Sequence, residues 1–214
     1  MNVDYPGFFD DVPRIALRDP LSAFLGVFAG GVVKYGYLDA VKLAGHSCPT
    51  VAGAYLMTAK ALGALYGGEI PERGAIRVEF RDDAEVGVTG VTANVVSQIT
   101  GATQRTGFKG IAGRFDRRNL LVFGAPIAGE IRFTRLDTGA AVEAAYDAGS
   151  VPPDAGMRAL MQRLLAREAT DAEGAEFARL WQDRVERILV EHWDDPKLVQ
   201  LTDLVRNVSA AVAR

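Results

Sequence analysis

The spacing of apolar positions changes several times along this chain, and each change marks an expected element. Residues 1–16 show no period and carry Pro6, Gly7 and Pro13, so an irregular lead-in is expected. Asp19-Pro20 opens an apolar run whose proline suits a first helical turn, with an end near Gly30-Gly31. Tyr35 to Leu43 is short, amphipathic and open to either type. From Pro49 onward Val51, Tyr55, Leu62, Leu65 and Tyr66 recur near helical spacing, and Gly67-Gly68 stops them. Ala75 to Phe80 alternates with Ile76, Val78 and Phe80 on one side, which predicts a strand. Thr92 to Ile99 predicts a second helix closed by Gly101, and glycine and charge from Gly101 to Gly113 predict a loop. Leu120 to Phe123 is a buried-type strand, and Glu130–Leu136 and Ala140–Tyr146 pair as a hairpin across Asp137-Thr138-Gly139. The order is helix, strand, helix and three strands, an α+β core.

Beyond Pro152-Pro153 the pattern turns helical. Met157, Leu160, Met161, Leu164 and Leu165 make one stripe, and Thr170 with Glu173 has the spacing of a capping box. Phe177, Leu180, Trp181, Val185, Ile188 and Leu189 share a face of the next helix. Asp194-Asp195-Pro196 breaks it, and Leu198 to Val212 is expected to form a last amphipathic helix. The expected division is an α+β domain over residues 1–150 and a helical C-terminal extension over 151–214. Its stripes are expected to bury in the core or in a dimer interface, and a homodimer is the expected state.

Composition narrows the partners. The chain has 214 residues, a formal charge of −3, one cysteine and two histidines. A net negative balance argues against a general nucleic-acid binder, and a single cysteine leaves no disulfide within the chain. Met1 to Asp11 holds three acids and no Lys or Arg, unlike a secretory signal. Leu21 to Val33, interrupted by glycines, is too short to span a bilayer. A cytoplasmic protein with no membrane partner is expected.

Candidate chemistry concentrates at Gly45-His46-Ser47-Cys48-Pro49. Four N–H groups at a helix start lack partners inside the helix, and the macrodipole favours negative charge there, so a thiolate at Cys48 would be stabilised. His46 would act as its base or share a metal with it. A lone cysteine also serves as a small buried apolar residue, and two ligands fall short of the four of a structural zinc. The other histidine, His192, counted at about 100° per residue from Phe177, falls on the inward face and is a candidate third metal ligand, from this chain or from a partner protomer. A second candidate is the run Gly101 to Arg118, where Arg105, Lys109, Arg114, Arg117 and Arg118 face Asp116 alone among glycines. Arg105 and Lys109 are expected to cradle a small anionic molecule; a solvated loop is the alternative. No Walker loop, Gly-x-Gly-x-x-Gly or Gly-x-Ser-x-Gly is present. Ser47, Ser97 and Thr100 stand near the same helix ends.

The turn, followed by Ala52, Gly53, Ala54 and Tyr55, resembles the Gly-His-x-Cys-Pro signature of the FmdE-like family of formylmethanofuran dehydrogenase subunits. Ile99-Thr100-Gly101-Ala102-Thr103 resembles that family's Leu-Thr-Gly-Cys-Thr segment, and the similarity covers about residues 40–147. The resemblance implies an α-β-α-β-β-β unit with a mixed sheet, and a divalent transition metal, zinc first, with His46 and Cys48 as ligands. Where the family often has cysteines this chain has Val91 and Ala102, and a family aspartate appears as Asn94. Any metal site is therefore poorer in sulfur. Three functions follow: a metal-binding protein, accessory or enzymatic; a metal-free thiol enzyme using Cys48 and His46; or a non-catalytic assembly partner of a larger oxidoreductase.

Overall fold

Two short strands precede the first long helix in the computed structural model, which describes residues 4–204. The lead-in is more ordered than its sequence predicts. A 3-10 turn, Gly7–Asp10, buries Phe8 and Phe9, and β1 (Ile15–Arg18) follows it. The helix expected to run to Gly30-Gly31 is only α1 (Pro20–Phe24), because the chain must return to pair β1 antiparallel with β2 (Val32–Tyr35). Gly26, Gly30 and Gly31 make that return with φ of 69°, 62° and 72°. The Asp19 N–H donates to Gly31 O at 2.8 Å, closing the loop's neck.

The short amphipathic piece is α2 (Tyr37–Ala44). Asp39 accepts the Gly36 N–H at its start, and Gly45 ends it in the left-handed region. Then comes α3 (Pro49–Tyr66), as the spacing predicts. It is apolar nearly all round and correspondingly buried, from Val51 to Thr58 and again at Ala61, Leu62 and Tyr66. β3 (Ile76–Phe80), α4 (Thr89–Thr100), β4 (Leu121–Val122), β5 (Ile131–Arg135) and β6 (Ala141–Tyr146) complete the expected order.

The sheet is mixed, in the order β4-β3-β5-β6, with β3 and β4 parallel and the other neighbours antiparallel. Cross-strand rows such as Val78–Phe133–Val142 and Phe80–Ile131–Ala144 are buried, and α3 packs along β6. The opposite face carries Arg132 between Glu79 and Glu143.

The C-terminal part departs from its expectation. α5 (Met157–Leu165) and α6 (Asp171–Glu186) form as predicted, with Thr170 and Glu173 exchanging their capping bonds. The last helix does not form over its described part: Val199–Leu204 is a strand, β7, paired antiparallel with β6 along its whole length. An amphipathic pattern this short fits either period, and the open edge of β6 decides it by offering hydrogen bonds. Residues 205–212 of that expected helix lie outside the described residues. The extension thus supplies the fifth strand of the core sheet.

Candidate functional site

Two places gather polar chemistry, the turn before α3 and a cleft between α1 and the arginine-rich loop. At the turn the chain leaves α2 through Gly45 and enters α3 with Cys48 as its N-cap; the Cys48 sulfur accepts the Val51 N–H at 3.5 Å. Cys48 is buried. His46, two residues earlier, is exposed, and its Nδ1 lies 3.0 Å from Ala44 O. A carbonyl only accepts, so Nδ1 carries that hydrogen and Nε2 is the atom left for other contacts.

The turn is tied to every element around it. Tyr37 Oη and Ser47 Oγ are 3.0 Å apart, and Tyr146 Oη donates to Pro49 O at 2.9 Å. Trp181 Nε1 of α6 donates to Ser47 O at 2.9 Å. Burial pushes the phenols of Tyr37 and Tyr146 well above the ordinary tyrosine range, so both are neutral hydrogen-bond formers. Ser97 Oγ and Thr100 Oγ1 donate to Ala102 O and Val96 O, so both close the end of α4.

His192 is not brought to the turn. Its Nδ1 meets Asp195 Oδ2 at 3.0 Å, while the adjacent Trp193 and Asp194 lie against Lys60 of α3. Lys60 follows Cys48 by about 18 Å along the helix axis. The turn Arg187–Glu191 is π-helical, which shifts later side chains off the α-helical phase that the count assumed, and His192 is half-buried. Val91 and Asn94 are exposed on α4, whereas Ala102 is fully buried. Among the described residues no three His, Cys, Asp or Glu side chains converge on one point. Among the described residues, no third such donor joins His46 and Cys48.

The cleft holds a different constellation. Asp19, buried at the neck of the α1 loop, caps α1 by accepting from the Leu21 and Ser22 N–H groups. Its carboxylate also receives Arg117 Nη2 at 2.6 Å and Arg73 Nη1 at 3.0 Å. Burial alone would raise the Asp19 carboxyl, but the hydrogen bonds from Arg117, the Ser22 N–H and Arg73 outweigh it and hold the group below the usual range. Arg73 is further fixed by donating to Ile99 O and Gln98 O at the end of α4. Arg117 lies against Gly74 and Gly101, where a Cβ would approach its guanidinium to 3.4 and 3.2 Å.

In front of this cluster is a cavity of about 470 Å³, lined by Pro20, Leu21, Glu72, Arg73, Gly74, Arg114, Phe115, Asp116 and Arg117. Asp116 is held by Arg118, which depresses its carboxyl to about 2. Arg114 makes no ion pair among the described residues and stacks over the Phe115 ring at 4.8 Å. Phe115 adopts a φ of 66°, an unfavourable region for an aromatic residue. Arg105 and Lys109 are exposed farther along the loop and do not line the cavity. Of the loop cations singled out in the sequence, Arg114 and Arg117 line the cavity, and Arg105 and Lys109 do not. Sequence reasoning missed Arg73 altogether, and the available signal was Asp19, an acid before a proline whose burial needs a cation.

No protein-family model matches the chain, and no curated protein matches it.

Proposed function

We propose that the chain is a divergent FmdE-like protein, akin to that family of formylmethanofuran dehydrogenase subunits, and that it binds a small anionic molecule between α1 and the arginine loop, in an accessory or enzymatic role. The kinship is supported by the Gly-His-x-Cys-Pro turn at the entrance to α3 and the α-β-α-β-β-β order behind it. The ligand half is carried by one observation, the cavity lined by Arg73, Arg114 and Arg117, of which Arg73 is engaged by Asp19 and two carbonyls. Arg114 there has no carboxylate, and Arg117 Nε and Nη1 make no hydrogen bond among the described residues. Planar guanidinium donors match carboxylate and phosphate oxygens, and desolvation at a cavity wall strengthens that match.

Inorganic phosphate is the first probe. At about a hundred times its dissociation constant it should stabilise the protein by about 2.7 kcal/mol, several degrees in melting temperature. Arg114→Gln, at an exposed position, should lose most of that shift while melting normally without phosphate. No shift beyond a sodium chloride control of equal ionic strength, or an equal shift in the variant, would refute the assignment.

The turn itself is read as a junction. Cys48 is buried and His46 exposed, and neither lines the arginine cavity. Zinc at His46 and Cys48 would need donors beyond those that the described residues bring together. Elemental analysis of tag-free protein is accordingly expected to find well under one zinc per chain, unchanged by Cys48→Ser. One zinc per chain, lost in both His46→Ala and Cys48→Ser, would restore the metal reading.

A further inference from the structure

We infer that the face around the arginine cavity docks on an anionic phospholipid surface. Four large apolar side chains of one loop are exposed together: Phe24, Leu25, Val27 and Phe28, the first three more than half exposed. In the same loop, which joins the two strands of the small sheet, a Cβ built at Gly26 or Gly30 would meet nothing within 4 Å. The arginine loop adds exposed Phe108 and Ile111, and the Phe24 and Phe115 rings, 5.5 Å apart, join the two loops into one surface. An exposed apolar surface of this kind marks an interaction site.

Charge selects the partner. The stretch 101–118 holds five cations and one acid in a chain whose overall charge is −3. Arg117 is paired with Asp19 and Arg118 with Asp116, which leaves Arg105, Lys109 and Arg114 against Glu72 at the cavity wall. A two-fold contact between copies would set this cationic face against itself, which disfavours a second copy as the occupant. Apolar tips backed by lysine and arginine suit insertion beneath anionic headgroups, the tips entering the acyl boundary and the cations remaining at the phosphates. No described helix is long and apolar enough to cross a membrane, so the association is peripheral. The expectation of no membrane partner rested on the lack of a spanning segment, which does not bear on surface docking. This inference does not require the cavity to take a soluble anion.

The test is cosedimentation of the full chain with mixed phosphatidylglycerol–phosphatidylcholine vesicles and with pure phosphatidylcholine vesicles, at low and high salt. Binding is expected to the anionic vesicles only and to fall at high salt. Arg105→Glu with Lys109→Glu should weaken it on the order of thirtyfold, and Phe24→Ser with Phe28→Ser at least about tenfold. All four positions are exposed, and unchanged thermal melts establish that the variants fold. Equal binding to neutral vesicles, or wild-type binding by either double variant, overturns the inference. Retention on polyglutamate without vesicle binding also overturns it, in favour of an acidic protein. If phosphate still raises the melting temperature while vesicles are ignored, the lipid inference fails and the small-anion reading stands.

Discussion

Asp19→Ala is expected to destabilise the protein by about 3–5 kcal/mol, a fall of about 10 °C in melting temperature. The size follows from what the substitution leaves behind. Arg73 and Arg117 converge on one buried carboxylate, and both guanidinium groups are themselves largely buried. Removing the carboxylate strands two positive charges in low dielectric and also removes the α1 cap. Asp19→Asn keeps a capping oxygen and should lose less. Urea unfolding measures both, and a loss under about 1 kcal/mol for the alanine variant would mean that water screens the cluster. The acid limb carries the same information. The folded Asp19 carboxyl lies below its unfolded value near 3.9, so its stabilisation is complete above that value and vanishes as pH falls toward the folded one. Glu143 behaves likewise: the Gly129 N–H and Arg132 overcome the effect of burial and lower its carboxyl. Wild type should therefore lose stability below about pH 4 more steeply than Asp19→Asn.

Two glycine-to-alanine changes in α3 are expected to act with opposite sign. Alanine normally favours a helix interior over glycine by about 0.5–1 kcal/mol. At Gly53 a Cβ would lie 2.6 Å from Tyr146 Cδ1, inside van der Waals contact with a ring held by its bond to Pro49 O. Gly53→Ala must push α3 off β6 or break that bond, and about 1–3 kcal/mol of destabilisation is expected. Gly63 is exposed in the same helix with nothing within 4 Å of its Cβ, so Gly63→Ala should stabilise by the ordinary propensity difference. Denaturant melts of both variants decide the matter. Two shifts of the same sign would show that propensity, not the Tyr146 contact, governs the helix.

Much of the core was legible because local pattern and tertiary environment agree there. Pro49, Gly67 and the near-continuous apolar positions between them specify α3 with little help. The hairpin of β5 and β6 is announced by alternation on both sides of a turn. Where the sequence misled, a neighbour supplied what the chain could not announce. Val199–Leu204 became a strand because β6 had an open edge, and α1 stopped early because β2 had to return alongside β1. One π-helical turn before His192 breaks the periodicity on which its placement was counted.

The candidate site divides along the same line. The chain alone determined the element order of the core, the turn that begins α3 and the loop that gathers positive charge, since these depend on periodicity, capping and composition within a few neighbouring residues. Only the tertiary structure decided that His46 is exposed while Cys48 is buried, that Arg73 and Arg117 meet at Asp19, and that Phe24 of α1 meets Phe115 at the cavity wall. Those contacts join residues as far apart as Asp19 and Arg117, and side-chain direction at such distances is set by packing and by the compensation of buried charge.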